Sequence, residues 1–154
     1  MNRLLLGLAL CACEAPDEAP ARPPPDDTPI PALTVEVTGR DYGWIVRYPG
    51  PDGVLGTPDD VTDRRDLHLP KGARVTVRLS SEDYVYSFAV PRFRVRKMAV
   101  PDVPFEARFV ANAEGTFDLL GDPMCGYSHD DLRGKVVVVP PAGFRAWMQT
   151  RRAP

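Results

Sequence analysis

Short segments in which polar and apolar residues alternate follow one another along most of this chain, with proline or glycine between them. The clearest segment runs from Ala73 to Leu79, where every second residue is apolar. A side-chain period of two is typical of a β-strand with one buried face. Many such segments, separated by turn signals, predict a sandwich or a barrel. We therefore expect an all-β fold, a β-sandwich of Greek-key type.

Nine segments have the strand pattern, and a short helix follows the last of them. The strands are expected at residues 34–37, 42–48, 66–69, 73–79, 84–90, 93–96, 105–110, 116–120 and 135–139. Residues 49–63 are rich in Gly, Pro and Asp and are predicted to form one long turn. The helix is expected at residues 142–149, where Phe144, Trp147 and Met148 would face the sandwich.

Residues 1–13 have the pattern of an export signal. Arg3 gives the positive start, and the apolar run from Leu4 to Leu10 is shorter than the roughly 20 residues that cross a bilayer. The run ends in Leu10-Cys11-Ala12-Cys13, which resembles the lipobox of bacterial lipoproteins. We expect Cys13 to be lipidated, so that the protein is an exported, membrane-anchored lipoprotein facing the periplasm or the outer surface. The alternative is a plain signal peptide with incidental cysteines.

The rest of the chain divides into a spacer, a domain and a tail. Residues 14–32 are rich in Pro, Ala and acidic residues, which predicts a disordered spacer. The folded domain is expected at residues 33–149, and residues 150–154 form the tail. The 19 basic and 21 acidic residues give a net charge of −2, which does not favour a nucleic-acid partner.

One loop carries the residues best suited to metal chemistry. Cys125 is followed four residues later by His129, just before the last predicted strand. A soft thiolate and an imidazole on one short loop suit copper. If Cys11 is removed with the signal and Cys13 is acylated, Cys125 is the one free thiol, and it is then buried, reactive or metal-bound.

Several motifs, in order, carry a resemblance to a known family. They include Val37-Thr38-Gly39-Arg40-Asp41-Tyr42-Gly43-Trp44, Leu67-His68-Leu69-Pro70-Lys71-Gly72, Ser81-Glu82-Asp83-Tyr84-Val85-Tyr86-Ser87-Phe88 and Cys125-Gly126-Tyr127-Ser128-His129. With them the chain resembles the copper-carrying domain of cytochrome c oxidase subunit II over residues 33–147. The resemblance implies a cupredoxin-like sandwich and a respiratory membrane complex or a cytochrome c-like redox partner.

The same resemblance implies that the family's two-copper centre, called CuA, is absent. The family uses a strand His, four ligands in a Cys-x-Glu-x-Cys-Gly-x-x-His loop, and a Met three residues further on. Here those positions hold Tyr86, then Gly121, Pro123, Cys125 and His129, and then Leu132. Only Cys125 and His129 match, so one bridging thiolate and one imidazole are missing.

A single copper ion is the remaining metal hypothesis. Cys125 and His129 would bind it, with Met124, Asp122 or Tyr86 as further ligands. The alternative is that Cys125 is a small buried hydrophobe and His129 a hydrogen-bonded loop residue.

Three aromatic residues have a functional and a structural interpretation. Tyr86 is either a ligand or redox-active phenol, or a packed ring with a hydrogen-bonded hydroxyl. Tyr42 and Trp44 align with the family's aromatic pair, which implies that electrons enter there. The structural alternative is that both rings pack on the sandwich.

Two charged segments also have two interpretations. The carboxylates between Asp52 and Asp60 either hold calcium or belong to a hairpin loop made rigid by Gly and Pro, and the loop lacks the spacing of an EF-hand. The basic residues Arg92, Arg94, Arg96 and Lys97 are expected on one alternating strand face. That face either steers an anionic partner or is simply solvated.

Three functions are compatible with the sequence. The first is a respiratory electron-transfer or copper-handling module with at most one copper ion, not catalytic alone but an accessory subunit of an oxidase. The second is a copper-free structural or assembly subunit of a haem-copper oxidase or a related membrane complex, for which quinol oxidases give a precedent. The third is a stand-alone binding domain with an unrelated partner.

Overall fold

The structure is a computed structural model that describes residues 32–123 and 132–152, with the backbone alone for residues 122 and 123. The described chain forms ten strands, one short 3-10 turn and one α-helix. The strands are β1 (Ala32–Arg40), β2 (Gly43–Tyr48), β3 (Val61–Arg64), β4 (Leu67–Pro70), β5 (Arg74–Ser81), β6 (Tyr86–Val90), β7 (Val95–Ala99), β8 (Phe105–Val110), β9 (Gly115–Pro123) and β10 (Gly134–Val139). The 3-10 turn is Pro91–Phe93, and the helix, α1, is Pro141–Arg152.

The strands form two five-stranded sheets that pack face to face. The first sheet has the order β3-β2-β1-β5-β8, and the second has the order β4-β10-β9-β6-β7. Most neighbours are antiparallel, but β1 runs parallel to β5 and β10 runs parallel to β4. The expected cupredoxin-like β-sandwich with a short C-terminal helix is confirmed.

The core lies between the two sheets and follows from the alternation in the sequence. On β5, Val75, Val77 and Leu79 are buried, whereas Arg74 and Arg78 on the opposite face are exposed. Full burial of a Val or Leu side chain contributes about 1.5–3 kcal/mol relative to its exposure. A one-residue shift in register would exchange the two faces, so the pattern also fixes the strand pairing.

The sandwich has two ends with different roles. We call one end the loop end, where Gly39 pairs with Ser81 and Tyr86 pairs with Pro123, the last described residue before the Cys125 loop. We call the opposite end the far end. There Ala32 pairs with Arg74, and Arg74 pairs with Val110.

Helix α1 covers one side of the sandwich, close to β3, β4 and β10. It begins with Pro141, whose fixed φ suits the first helical position. Met148 is buried, and Phe144 and Trp147 pack half-buried against the core, as predicted. Among residues 32–123 and 132–152, no helix is long and apolar enough to cross a membrane.

Two local predictions were wrong. The segment expected as one long turn ends earlier, because β3 begins at Val61 and pairs with β2. The segment expected as a strand from Phe93 is divided, since Pro91 starts a 3-10 turn and Arg94 closes it with a left-handed φ of 55°. Arg92, Arg94, Arg96 and Lys97 therefore do not share one strand face, because only the last two lie on β7.

Candidate functional site at the loop end

The described structure fixes both anchors of the Cys125 loop. On one side β9 ends at Pro123, which pairs with Tyr86 on β6. On the other side the first described residue is Leu132, whose side chain is fully buried. Cys125, His129 and Met124 lie outside the described residues, as does the side chain of Asp122. The site is therefore derived from the residues that surround the loop.

A buried hydrogen bond holds the second anchor. The indole Nε1 of Trp44 on β2 donates to the carbonyl oxygen of Leu132 across 2.9 Å. Trp44 is only 2% exposed, so this N–H has no access to bulk water. A buried indole N–H normally requires an acceptor. Trp44 therefore ties the first sheet to the backbone that follows the loop.

Gly121 lies where no side chain fits. A Cβ built on it would be 2.5 Å from the carbonyl oxygen of Leu132 and 2.6 Å from the Leu132 Cβ. Both atoms belong to a buried residue whose carbonyl is already bonded to Trp44. A cysteine at this position would therefore require the Leu132 backbone to move.

The Tyr86 hydroxyl is fully engaged by hydrogen bonds. It donates to Asp83 Oδ1 across 2.7 Å and accepts the backbone N–H of Tyr42 across 3.2 Å. Burial, reinforced by the hydrogen bond to Asp83, raises the pKa of Tyr86 well above its ordinary value. The phenol is therefore protonated at neutral pH and acts as a hydrogen-bond donor.

Asp83 is the acceptor around which this network is built. Its carboxylate accepts the backbone N–H groups of Asp41 and Tyr84, each across 2.7 Å, in addition to the Tyr86 hydroxyl. Burial acts to raise the pKa of Asp83, but the hydrogen bonds, first that from Tyr86, outweigh it and lower the pKa. Asp83 is therefore ionised at neutral pH.

The Tyr86 ring depends on a glycine beneath it. A Cβ at Gly39 would lie 2.3 Å from Tyr86 Cδ2, so any side chain there would displace the ring. The absence of a side chain on β1 lets the ring pack directly on the strand. The motif that carries the family resemblance therefore contains a residue, Gly39, that is required by the tyrosine at position 86.

Four aromatic rings form a contiguous aromatic cluster at the loop end, made of Tyr42, Trp44, Tyr84 and Tyr86. Tyr42 stacks on Tyr84 with ring centroids 5.2 Å apart, and Trp44 meets Tyr86 edge-on at 5.8 Å. Tyr84 is 54% exposed, whereas Trp44 and Tyr86 are buried. The cluster therefore extends from the surface to the Leu132 anchor.

The structure brings together three of the predicted site residues: Tyr42, Trp44 and Tyr86. The sequence interpretation missed Tyr84 and Asp83, both of which contact these residues. The sequence contains a signal for them, because β6 is preceded by Ser81-Glu82-Asp83-Tyr84. Asp and Ser favour turns in which their side chains accept backbone N–H groups.

The described positions do not fit a binuclear CuA centre. Gly121 has no side chain to bind a metal, and the side chain of Leu132 has no metal-binding atom. Tyr86 presents a protonated phenol in place of an imidazole. His68 does not replace it, because its ring stacks on Trp147 beneath α1, with centroids 4.2 Å apart. Among the described residues, no three His, Cys, Asp or Glu side chains are grouped so that they could hold a metal ion.

Comparison with known proteins identifies the family. The family model for the cytochrome c oxidase subunit II periplasmic domain matches residues 59–139. Cytochrome c oxidase subunit 2 of Thermostichus vulcanus is 36% identical over 146 residues, covering 94% of this chain and 42% of that protein. The alternative cytochrome c oxidase subunit 2 of Bradyrhizobium diazoefficiens is 33% identical over 146 residues, covering 80% of this chain and 53% of that protein.

The chain thus spans about half the length of these two curated relatives. Among solved structures, the periplasmic domain of subunit II of cytochrome oxidase from Bradyrhizobium japonicum has the same fold. Its TM-score is 0.67 at 23% identity, over 78% of this chain and 93% of that one. The match over residues 59–139 and the similarity to these relatives show that the chain belongs to the cytochrome c oxidase subunit II family and contains that family's periplasmic domain.

Proposed function

We propose that this chain serves a respiratory membrane complex as a subunit II-type domain that binds at most one copper ion, through Cys125 and His129. The observation that supports this proposal is the state of Tyr86. The residue at the position of the family's strand His is buried, protonated and bonded to Asp83. The domain is then an electron-transfer or copper-handling module and is not catalytic alone.

The remaining donors limit the metal to a single ion. Cys125 offers one thiolate, and a second thiolate at position 121 is excluded by the contact with Leu132. Cys125 and His129 together suit copper because thiolate and imidazole are its preferred ligands. Met124 and Asp122 are the further candidate donors before Cys125, whereas Tyr86 is committed to its hydrogen bonds.

A bound copper ion would supply one-electron chemistry or be the cargo itself. The residues of this chain would position the loop that holds it and exclude water from one side. Trp44 fixes Leu132 behind the loop, and the Tyr86–Asp83 pair closes the adjoining end of the sandwich. Tyr42 and Tyr84 would present an aromatic surface to a cytochrome c-like redox partner.

We also propose that the domain faces the periplasm from a membrane. The periplasmic domain of the family supports this location. The anchor would be a lipid on Cys13, and the spacer of residues 14–32 would separate the domain at residues 33–149 from the bilayer. Mass spectrometry of the membrane fraction tests the anchor, since Cys13→Ser should abolish the acylated N-terminal peptide.

Copper stoichiometry tests the metal proposal. The protein is loaded with Cu(II), desalted, and measured by metal analysis and electron paramagnetic resonance. We expect one copper ion per chain with a thiolate charge-transfer band, and its loss in Cys125→Ser and His129→Ala. Tyr86→Phe is the matched control, because it removes the phenol without touching the loop donors, and it should retain the ion. Copper retained in Cys125→Ser would contradict the proposal.

The second candidate is a copper-free structural or assembly subunit of the same kind of complex. The observation that favours it is the filling of the loop end, where Tyr86, hydrogen-bonded to Asp83 and edge-on to Tyr42, occupies the position of a family metal ligand. It predicts that no copper survives desalting in either oxidation state. It also predicts that the protein co-purifies with an oxidase from the native membrane.

A further inference from the structure

The far end of the sandwich contains a cleft that the proposed metal chemistry does not use. Its volume is about 410 Å³, and it lies between the 3-10 turn and the end of β8. The residues that line it are Arg92, Phe93, Arg94, Arg108, Phe109, Val110 and Asn112. Three guanidinium groups and one amide are therefore its polar groups, and no carboxylate is among its described lining residues.

The charges of this cleft are largely uncompensated. Arg108 pairs with Glu106, but Arg92 and Arg94 form no ion pair with any described residue. Arg96 and Lys97, which follow on β7, likewise have no acidic partner within the described part of the chain. By contrast, Lys71 and Lys135 are paired with Glu114 and Asp118. The cleft is thus a concentrated positive patch on a chain whose net charge is −2.

An aromatic cluster lines the cleft and holds one of the basic side chains, that of Arg92. Phe93 stacks on Phe109 with centroids 5.0 Å apart and meets Phe117 edge-on at 5.6 Å. The guanidinium carbon of Arg92 lies 5.5 Å from the centre of the Phe117 ring, within the range of a cation–π contact. Beside them Val110 is 41% exposed. Basic and apolar groups interleaved in this way are typical of surfaces that meet a lipid headgroup layer.

The strand register links this cleft to the upstream chain. Ala32, where β1 begins, pairs with Arg74, and Arg74 pairs in turn with Val110 of the cleft. Residues 1–31, which include the expected lipid attachment at Cys13, therefore join the domain at the end that carries the patch. A membrane tether would leave from the basic end and not from the loop end.

We propose that the far-end cleft binds the phosphate groups of an anionic phospholipid surface. The inference rests on the membrane association proposed above and adds an orientation to it. Guanidinium groups bind phosphate oxygens in a bidentate way, and each basic residue near an anionic bilayer contributes about 1 kcal/mol. With the far end on the lipid, the loop end and its aromatic cluster face away from the bilayer, open to a soluble partner.

Vesicle binding tests this orientation. The full chain carrying Cys13→Ser is mixed with phosphatidylcholine vesicles, with or without phosphatidylglycerol, and bound protein is measured by flotation. We expect binding that requires phosphatidylglycerol and weakens on the order of 10- to 100-fold in Arg92→Gln/Arg94→Gln/Arg108→Gln. The matched control, Arg64→Gln/Arg78→Gln/Arg145→Gln, removes the same charge from exposed arginines elsewhere and should keep the binding.

Two further arms identify the ligand. Glycerol phosphate in solution should displace the protein from the vesicles, because the cleft recognises the phosphate group. If glycerol phosphate binds the cleft while vesicles do not, the ligand is a free phosphate compound and not a phospholipid. Tighter binding to polyglutamate than to the vesicles would overturn the proposal in favour of an acidic protein. Equal vesicle binding by the two triple variants would also overturn it. Copper content, measured on the same samples, separates a failure of this inference from a failure of the proposed function.

Discussion

The indole nitrogen of Trp44 and the carbonyl oxygen of Leu132 are joined by a buried hydrogen bond of 2.9 Å. The two residues are 88 positions apart and belong to different parts of the sandwich. Leu132 is the first described residue after the loop that carries Cys125 and His129. The bond therefore determines where that loop returns to the core, and it makes Trp44 a positioning residue for the candidate site.

Trp44→Phe should destabilise the domain by about 1–3 kcal/mol, since it leaves the buried Leu132 carbonyl without its donor. The substitution keeps an aromatic ring against Tyr86 and Phe88, so the loss combines the hydrogen bond with the smaller volume of the ring. Urea unfolding at neutral pH measures the change, with Tyr84→Phe, at an exposed ring, as the control. A difference from the control below about 0.5 kcal/mol would argue against this role of Trp44.

Gly121→Cys should not restore a family-type centre and should itself cost about 1–3 kcal/mol in overpacking. The reason is the 2.5 Å approach of a Cβ to the Leu132 oxygen. Gly43→Ala is a suitable control, because a Cβ at Gly43 would be 3.7 Å from its nearest neighbour, an ordinary contact. Thermal unfolding compares the two variants, and equal melting temperatures would show that the Leu132 backbone adapts.

The alternation of the sequence was sufficient to predict the sandwich because burial on one face is a period-two property. It failed at β3, whose residues Val61-Thr62-Asp63-Arg64 include a buried carboxylate at an inward position. Asp63 is stabilised there by Arg151 of α1 at 3.4 Å, a partner 88 residues away. It also failed at Arg94, because a left-handed φ at an arginine leaves no mark on hydropathy.

At the candidate site, the family motifs contain Tyr42, Trp44 and Tyr86, and the structure brings these three rings together at the loop end. The sequence could not decide between a packed and a ligating Tyr86, because that choice depends on Asp83 and on the Tyr42 backbone N–H. The Tyr42 N–H is positioned by the turn before β2, where Asp41 and Tyr42 have positive φ values of 49° and 60°. Asp83 lies in the turn before β6. The metal ligands Cys125 and His129 stay a prediction.

Tyr86→Phe should lower stability by about 1–3 kcal/mol at neutral pH, because Asp83 and the Tyr42 N–H both lose a partner. The pKa of Asp83 lies below its ordinary value of 3.8 in the folded protein, so its contribution is complete above that pH. The contribution is lost as the pH falls through the lower, folded value. The gap between the urea midpoints of wild type and variant should therefore narrow as the pH is lowered from neutral through 3.8 towards the folded value. A gap that stays constant over this range would contradict the role of Asp83.

His68 and Trp147 provide the last prediction, which concerns the attachment of α1. The imidazole stacks on the indole at 4.2 Å, and its Nδ1 lies 3.5 Å from Asp63 Oδ2. Burial lowers the pKa of His68 below its ordinary value of 6.5, although Asp63 opposes the shift.

The imidazole of His68 takes up a proton more readily in the unfolded chain than in the folded one. Its contribution to the free energy of unfolding is therefore complete above pH 6.5. It falls as the pH decreases from there through the folded pKa. His68→Phe retains a ring against Trp147 and cannot titrate, so its stability should fall less than that of the wild type over this window. Urea unfolding in a His129→Asn background isolates the effect, since that variant removes the other histidine of the chain. An unchanged pH dependence in His68→Phe would assign the loss to other groups.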